Sequence, residues 1–293
     1  MKLGLHIAAT NWPAGPERLG ATIGGLVEAA EAAGFDAISV TDHVWGSQYT
    51  GGVEASQIEA YTTLGFIAAH TRRVRLLALA TAPSYRHAGL LAKTVTTLDV
   101  LSGGRAMLGI GAGDYPEEAE GLGLPFPSAG DRYELLEETV EACLRMWEGE
   151  RGDQRPFDGK HVKIGRALNA PQSLSRPHPP ILIAGGGERK TLPIVTRYAD
   201  ACNVAPTPEL PRKLDLLKRL CEEAGRDYGA IEKTVPFAFD VGPDGAKIPD
   251  LLGQLRSLAG MGAQTVLGWV VGMERLAPLE IMGREVIPAV AEL

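Results

Sequence analysis

Two rhythms of apolar and polar residues alternate along this chain. Short apolar runs of strand length recur, and between them lie longer segments with apolar residues every three to four positions. Leu3–Ile7, Ala37–Val40, Val74–Ala80 and Ala106–Ile110 are the first four runs. Ala106–Ile110 is apolar without alternation, as expected of a parallel strand covered on both faces. The segments between them, Glu17–Ala33, Glu59–His70 and Gly89–Leu101, have helical spacing. In the first, Leu19, Ile23, Leu26, Val27 and Ala30 fall on one face, and Gly34 stops it. Asp131–Trp147 predicts a strongly amphipathic helix, with Leu135, Leu136, Val140, Cys143, Leu144 and Trp147 at helical intervals.

The order then repeats. Ile181–Ala184, Ala201–Val204, Val235–Val241 and Ala263–Leu267 read as strands five to eight. Helices are expected from Arg189, over Pro208–Ala224, over Ile248–Ala259 and over Glu274–Ala291, with Pro278 and Pro288 limiting or kinking the last. Gly149–Pro180 breaks the rhythm. It holds several prolines and FDGKHVKI, a candidate hairpin, and reads as an excursion between units four and five. Eight strand–helix units close naturally into an α/β (β/α)₈ TIM barrel, because right-handed crossovers close a parallel sheet that way. Residues 1–293 are read as one barrel domain. A doubly wound open sheet is the runner-up, but no GxGxxG follows the first strand.

A barrel gathers its strand ends at one mouth, so the residues there can be read for chemistry. Leu98–Asp114 is the most informative stretch. Ser102-Gly103-Gly104 signals a tight turn, and Gly109, Gly111 and Gly113 share one face of a strand and leave it without side-chain bulk. A flat group or another backbone can come close there. Asp114 follows the strand end. Asp42-His43 follows the second strand, and a histidine there can shuttle a proton near neutral pH. Gly185-Gly186-Gly187 stands between a strand and a helix, an entry suited to phosphate. Ala78–Arg86 ends the third strand in small uncharged residues that suit a planar ring. The spacing of histidines and acids matches no metal motif, and none is assigned.

Composition narrows the classes. The 293 residues are 45% hydrophobic and 22% charged, ordinary for a globular chain. A net charge of −7 argues against nonspecific nucleic-acid binding. No apolar run approaches a membrane span, and the first residues read as a strand rather than a secretory leader. Three scattered cysteines, Cys143, Cys202 and Cys221, suggest neither disulfides nor zinc, and fit the cytoplasm.

TDHVW, YRHAGLLAKTVTTLDVLSGGRAMLGIGAGD and HPPILIAGGGERKTLPIVTRYADACNV occur here in that order. Together they resemble the bacterial luciferase-like superfamily, closest to its coenzyme F420-dependent oxidoreductase branch. The resemblance spans roughly residues 1–205 and implies a (β/α)₈ barrel with an insertion, often a homodimer, binding F420 or FMN at the mouth. It implies that His43 is the proton acceptor by the reactive ring carbon and that Asp114 occupies the place of a proton-donor glutamate. It also implies a non-proline cis peptide at Leu79-Ala80 behind the ring. Asp42, Thr81, Gly111 and Gly113 match ring-side positions. Gly185, Gly186 and Gly187 match the phosphate-contacting loop, with Glu188 entering the helix. The expectation is hydride transfer between F420 and a small organic substrate. An FMN-dependent monooxygenase and a non-catalytic flavin- or deazaflavin-binding protein are the alternatives.

Overall fold

The computed structural model describes residues 1–9, 12–13, 15–47 and 50–293. Part of the loop after the first strand, and residues 48–49 of the loop after the second, lie outside the described residues.

The first half runs β1 (Lys2–Ile7), α1 (Pro16–Ala33), β2 (Ala37–Val40), α2 (Ala60–His70), β3 (Arg75–Ala78), α3 (Ala88–Ser102) and β4 (Leu108–Ile110). Two further helices, α4 (Pro116–Gly121) and α5 (Ala129–Trp147), precede a two-stranded hairpin, β5 (Phe157–Asp158) and β6 (Lys163–Ile164). The second half runs β7 (Ile181–Ala184), α6 (Thr191–Tyr198), β8 (Ala201–Asn203), α7 (Leu210–Ala224), β9 (Glu232–Phe239), α8 (Ile248–Gly260) and β10 (Thr265–Val270). The expected hairpin in FDGKHVKI is present, inside an insertion of extra structure between the fourth and fifth barrel units.

Eight strands form one parallel sheet in the order β3-β2-β1-β10-β9-β8-β7-β4. Its two ends meet through bridges between Leu76 and Ala106 and between Thr81 and Ile110, so the sheet curls into a nearly closed barrel. The parallel barrel replaces the open-sheet alternative.

Alternation along the strands divides the core in two. Leu5, Ile38, Leu76, Leu108, Ile183, Cys202 and Val266 pack outward with the helices. Ala37, Leu77, Met107, Leu182, Ala201 and Leu267 form a smaller inward cluster, with Leu79 and Ala184 packed against it. The same two-residue step that sends Leu77 and Leu182 inward brings Leu79 and Ala184 to the top of that inner cluster. The barrel is therefore filled by side chains, and where Leu79 and Ala184 cap the inner cluster its upper layer is apolar.

Several boundaries differ from the pattern. β3 ends at Ala78 rather than Ala80, because the chain leaves the ladder there. Ala106 belongs to a bridge rather than to β4, and β10 lies later than Ala263–Leu267. The helix expected from Arg189 starts at Thr191. The last helix is broken into α9 (Ala277–Ile281), a π-helical stretch over Met282–Val286, and α10 (Ile287–Val290). Pro278 stands in the first turn of α9, where a missing N–H costs no intrahelical bond, and Pro288 stands just past the π-helical stretch, where it has no N–H to continue the ladder. Between β4 and α5 the chain forms the short helix α4, which the apolar periodicity does not mark.

Candidate active site

A cavity of about 360 Å³ opens at the carboxyl ends of the strands. Its floor is Leu79, Ala80, Gly111 and Ala184, which continue the barrel's inner layer. Asp42, His43, Gly113 and Asp114 line one side, and Gly185, Gly186 and Thr191 another, with Phe126 and Tyr133 also in the wall. The peptide bond between Leu79 and Ala80 is cis. A second cavity of about 550 Å³ is lined by His43, Asp114, Tyr115, Glu117, Ser47, Gly52 and Val53. His43 and Asp114 thus stand on both walls.

His43 follows β2 and is held from the insertion. Its Nδ1 lies 2.8 Å from Oε2 of Glu118 on α4. That carboxylate is fully buried and also accepts the N–H groups of Val44 at 2.6 Å and Trp45 at 2.8 Å, together with the Tyr85 hydroxyl. Burial alone would raise the pKa of Glu118, but the donors from His43, Trp45 and Tyr85 outweigh it and hold the carboxyl below its ordinary value. The hydrogen bond to Glu118 raises the pKa of His43 against the opposing effect of burial, and the charges of Glu118, Asp114 and Asp42 add to the rise. The Tyr115 ring meets the imidazole edge-on, with centroids 5.5 Å apart.

Asp42 is buried. Its Oδ1 accepts from Arg86 Nη2 at 2.6 Å, and the same guanidinium nitrogen reaches Glu59 at 2.6 Å. Its Oδ2 has no partner at hydrogen-bond geometry. Burial pushes the Asp42 carboxyl up to about 6, with the Arg86 charge pulling the other way. His6, on β1, bonds Ser39 through Nδ1 at 2.9 Å, and burial lowers its pKa to about 4, so it is uncharged at neutral pH.

The barrel brings together Asp42, His43, Leu79, Ala80, Gly111, Gly113, Asp114, Gly185 and Gly186. Thr81, Gly187 and Glu188 are not part of that lining. Thr81 is fully buried, its hydroxyl 2.9 Å from the Tyr61 hydroxyl. The Glu188 carboxylate pairs with Arg212 on α7 at 3.0 Å and 2.5 Å, away from the cavity. Lys213 Nζ comes within 3.2 Å of where a Gly186 side chain would begin. Of the aromatic residues near the strand ends, Tyr115 lines the second cavity, Trp45 packs on α4 and Trp12 packs against the core. All three cysteines are free and buried. Asp131, Glu134 and His161 bring ligand atoms within 4.8 Å of one another outside the mouth, but the Lys160 ammonium bonds both carboxylates.

Glu118 and Tyr85 were not singled out by the sequence pattern. A signal for α4 was present in Pro116 followed by Glu117 and Glu118, a proline and acids in a first helical turn.

Among the described residues, no helix is long and apolar enough to cross a membrane. The family model described as luciferase-like monooxygenase matches residues 1–286. An F420-dependent glucose-6-phosphate dehydrogenase of Segniliparus rotundus is 30% identical over 226 residues, 74% of this chain and 63% of that protein. The chain spans less than two thirds of the length of the curated relatives it matches. An F420-dependent secondary alcohol dehydrogenase, solved with an F420–acetone adduct, superposes with a TM-score of 0.83 at 18% identity, covering 99% of this chain and 98% of that one. The oxygenating constituent of a Pseudomonas putida 3,6-diketocamphane monooxygenase, solved with FMN, gives a TM-score of 0.76 at 18% identity, with 98% of each chain covered. At these identities the solved structures show likeness of fold alone. The family match over nearly the whole length, together with the relative's identity over three quarters of the chain and a barrel of this order, makes the chain a member of the bacterial luciferase-like superfamily.

Proposed function

We propose that the chain is an oxidoreductase that moves a hydride between coenzyme F420 and a small organic substrate. One observation carries the reading: His43, a proton-handling group, stands on the wall shared by two cavities. The inner cavity suits the deazaflavin ring and the outer one the substrate. The residues present fit such a ring. Leu79, Ala80 and Gly111 give a flat apolar floor, and Asp42, which lines the same cavity, has one buried oxygen without a hydrogen-bond partner.

In this assignment Asp42, Leu79, Ala80, Thr81, Gly111 and Gly113 serve the ring side. Gly185, Gly186, Gly187 and Glu188 serve the phosphate end through backbone, since the Glu188 carboxylate is taken by Arg212. The bound cofactor supplies the hydride carrier, and the protein supplies orientation and the proton. His43 takes or gives that proton beside Asp114. The chain is expected to work as a homodimer in the cytoplasm.

The second reading is an FMN-dependent monooxygenase, which the description of the matching family model favours. Parallel titrations with F420 and FMN, read by absorbance and tryptophan fluorescence, separate the two. Tight F420 binding with weak FMN binding is expected, and His43→Ala is expected to lower F420-linked turnover by about two to four powers of ten while keeping cofactor affinity. Preference for FMN with substrate-dependent oxygen uptake would replace the hydride reading. Unchanged turnover in His43→Ala would remove the histidine from the mechanism.

A further inference from the structure

We infer that Glu118 is a positioning residue that fixes the tautomer of His43, holding the proton on Nδ1 and leaving Nε2 bare for the cavities the ring lines. The geometry ties the carboxylate to the ring and to the chain that carries it. Its two oxygens meet four donors. Oε1 takes the N–H groups of Val44 and Trp45, and Oε2 takes the Tyr85 hydroxyl and His43 Nδ1. Four donors match the acceptor capacity of a carboxylate, so it can neither turn nor carry a proton without losing a partner in a fully buried place. An ionised carboxylate only accepts, so Nδ1 must be the donor, and a neutral imidazole with Nδ1–H has an unprotonated Nε2.

The same carboxylate also holds the chain. Val44 and Trp45 directly follow His43, so ring and backbone are pinned by one group. Other ionisable groups face the ring from several elements: Asp42 beside it, Asp114 beyond β4, Tyr115 edge-on, and His6 from β1. Tyr85 reaches Glu118 from the segment after β3. The net effect of these neighbours raises the pKa of His43.

The consequence rests on the hydride-transfer reading. With the cofactor bound as two-electron acceptor, oxidation of an alcohol to a carbonyl would release the hydroxyl proton, and Nε2 of His43 would take it and become imidazolium. An Nε2–H tautomer has no lone pair there and cannot accept.

The test uses ¹⁵N-labelled full-length protein without cofactor. Long-range ¹H–¹⁵N spectra of the histidine rings are followed from pH 5 to 9, with His43 signals assigned by their loss in His43→Gln. Neutral His43 is expected as Nδ1–H, with a midpoint above about 6.5. In Glu118→Gln the amide oxygen can keep the two backbone N–H groups, and the amide nitrogen then donates toward Nδ1. The tautomer is expected to invert to Nε2–H and the midpoint to fall. Turnover should drop about 10²- to 10⁴-fold with KM kept, and its pH profile should move with the midpoint. Tyr85→Phe keeps the carboxylate and should keep Nδ1–H, so the inference stays testable if the glutamine variant fails to fold. Neutral Nε2–H in the wild type, or an unchanged tautomer and midpoint in Glu118→Gln, overturns it. Because the spectra need no cofactor, an Nδ1–H tautomer in a protein that ignores F420 sinks the hydride reading and leaves the positioning role standing.

Discussion

Asp42 carries its charge at a cost. Its side chain is 3% exposed, one oxygen is bound by Arg86, and the other has no partner. Its folded pKa of about 6 lies above the ordinary 3.8, so the folded state holds the proton more tightly than the unfolded chain. The stability this brings is full below about 3.8 and is lost as pH rises through about 6. His6 titrates in an overlapping range with the opposite sign. Its folded pKa of about 4 lies below the ordinary 6.5, so its contribution is lost as pH falls. Comparison with Asp42→Asn cancels His6, and below pH 6 the Asp42 carboxyl is the main difference left. Urea unfolding from pH 4 to 7 should show the wild type losing on the order of 3 kcal/mol relative to the variant across that window. A constant offset would mean that Asp42 titrates alike in both states. At this scale, Asp42, His43 and Asp114 were legible because each follows an apolar strand. Glu118 was not, because a glutamate among Glu117 and Glu120 bears no local mark of burial.

At the scale of elements, two close approaches set the floor and the side wall. The carbonyl oxygen of Ala78 lies 2.0 Å from where a Gly109 side chain would begin. The bare face of β4 at Gly109 therefore admits the neighbouring strand's backbone, while Gly111 and Gly113 reach the cavity. Gly109→Ala must push backbone against backbone. It is expected to cost about 1–3 kcal/mol, read as a lower urea midpoint at unchanged slope, and to weaken cofactor binding through a displaced Leu79. Wild-type stability in this variant would show that the strands can part there. On the other wall the Trp45 indole comes within 2.0 Å of a Gly121 side-chain position, which seats α4 and brings Glu118 under His43. Strand and helix types were readable from periodicity. The ends were not, because β3 stops where the chain leaves its ladder and α4 is held by Trp45 rather than by a long apolar stripe.

For the whole molecule, two exposed leucines on the outer side of α3 bear on assembly. Leu90 and Leu101 are 63% and 74% exposed and stand eleven residues apart, about three helical turns, so they share one face. Sedimentation at micromolar concentration should show a dimer, and Leu90→Asp with Leu101→Asp should give a monomer. A wild-type monomer would remove the homodimer from the proposal. The sequence by itself determined the alternation of strands and helices, the barrel class, and the strand-end residues that face the mouth. These follow from local periodicity and from the rule that parallel strands end at one rim. The tertiary structure alone decided that Glu118 and Tyr85 join His43, that Asp42 keeps one oxygen unpartnered, and that Glu188 turns to Arg212. Each depends on segments far apart in sequence meeting in a buried place, and one-dimensional spacing carries no record of which donors a buried carboxylate will find.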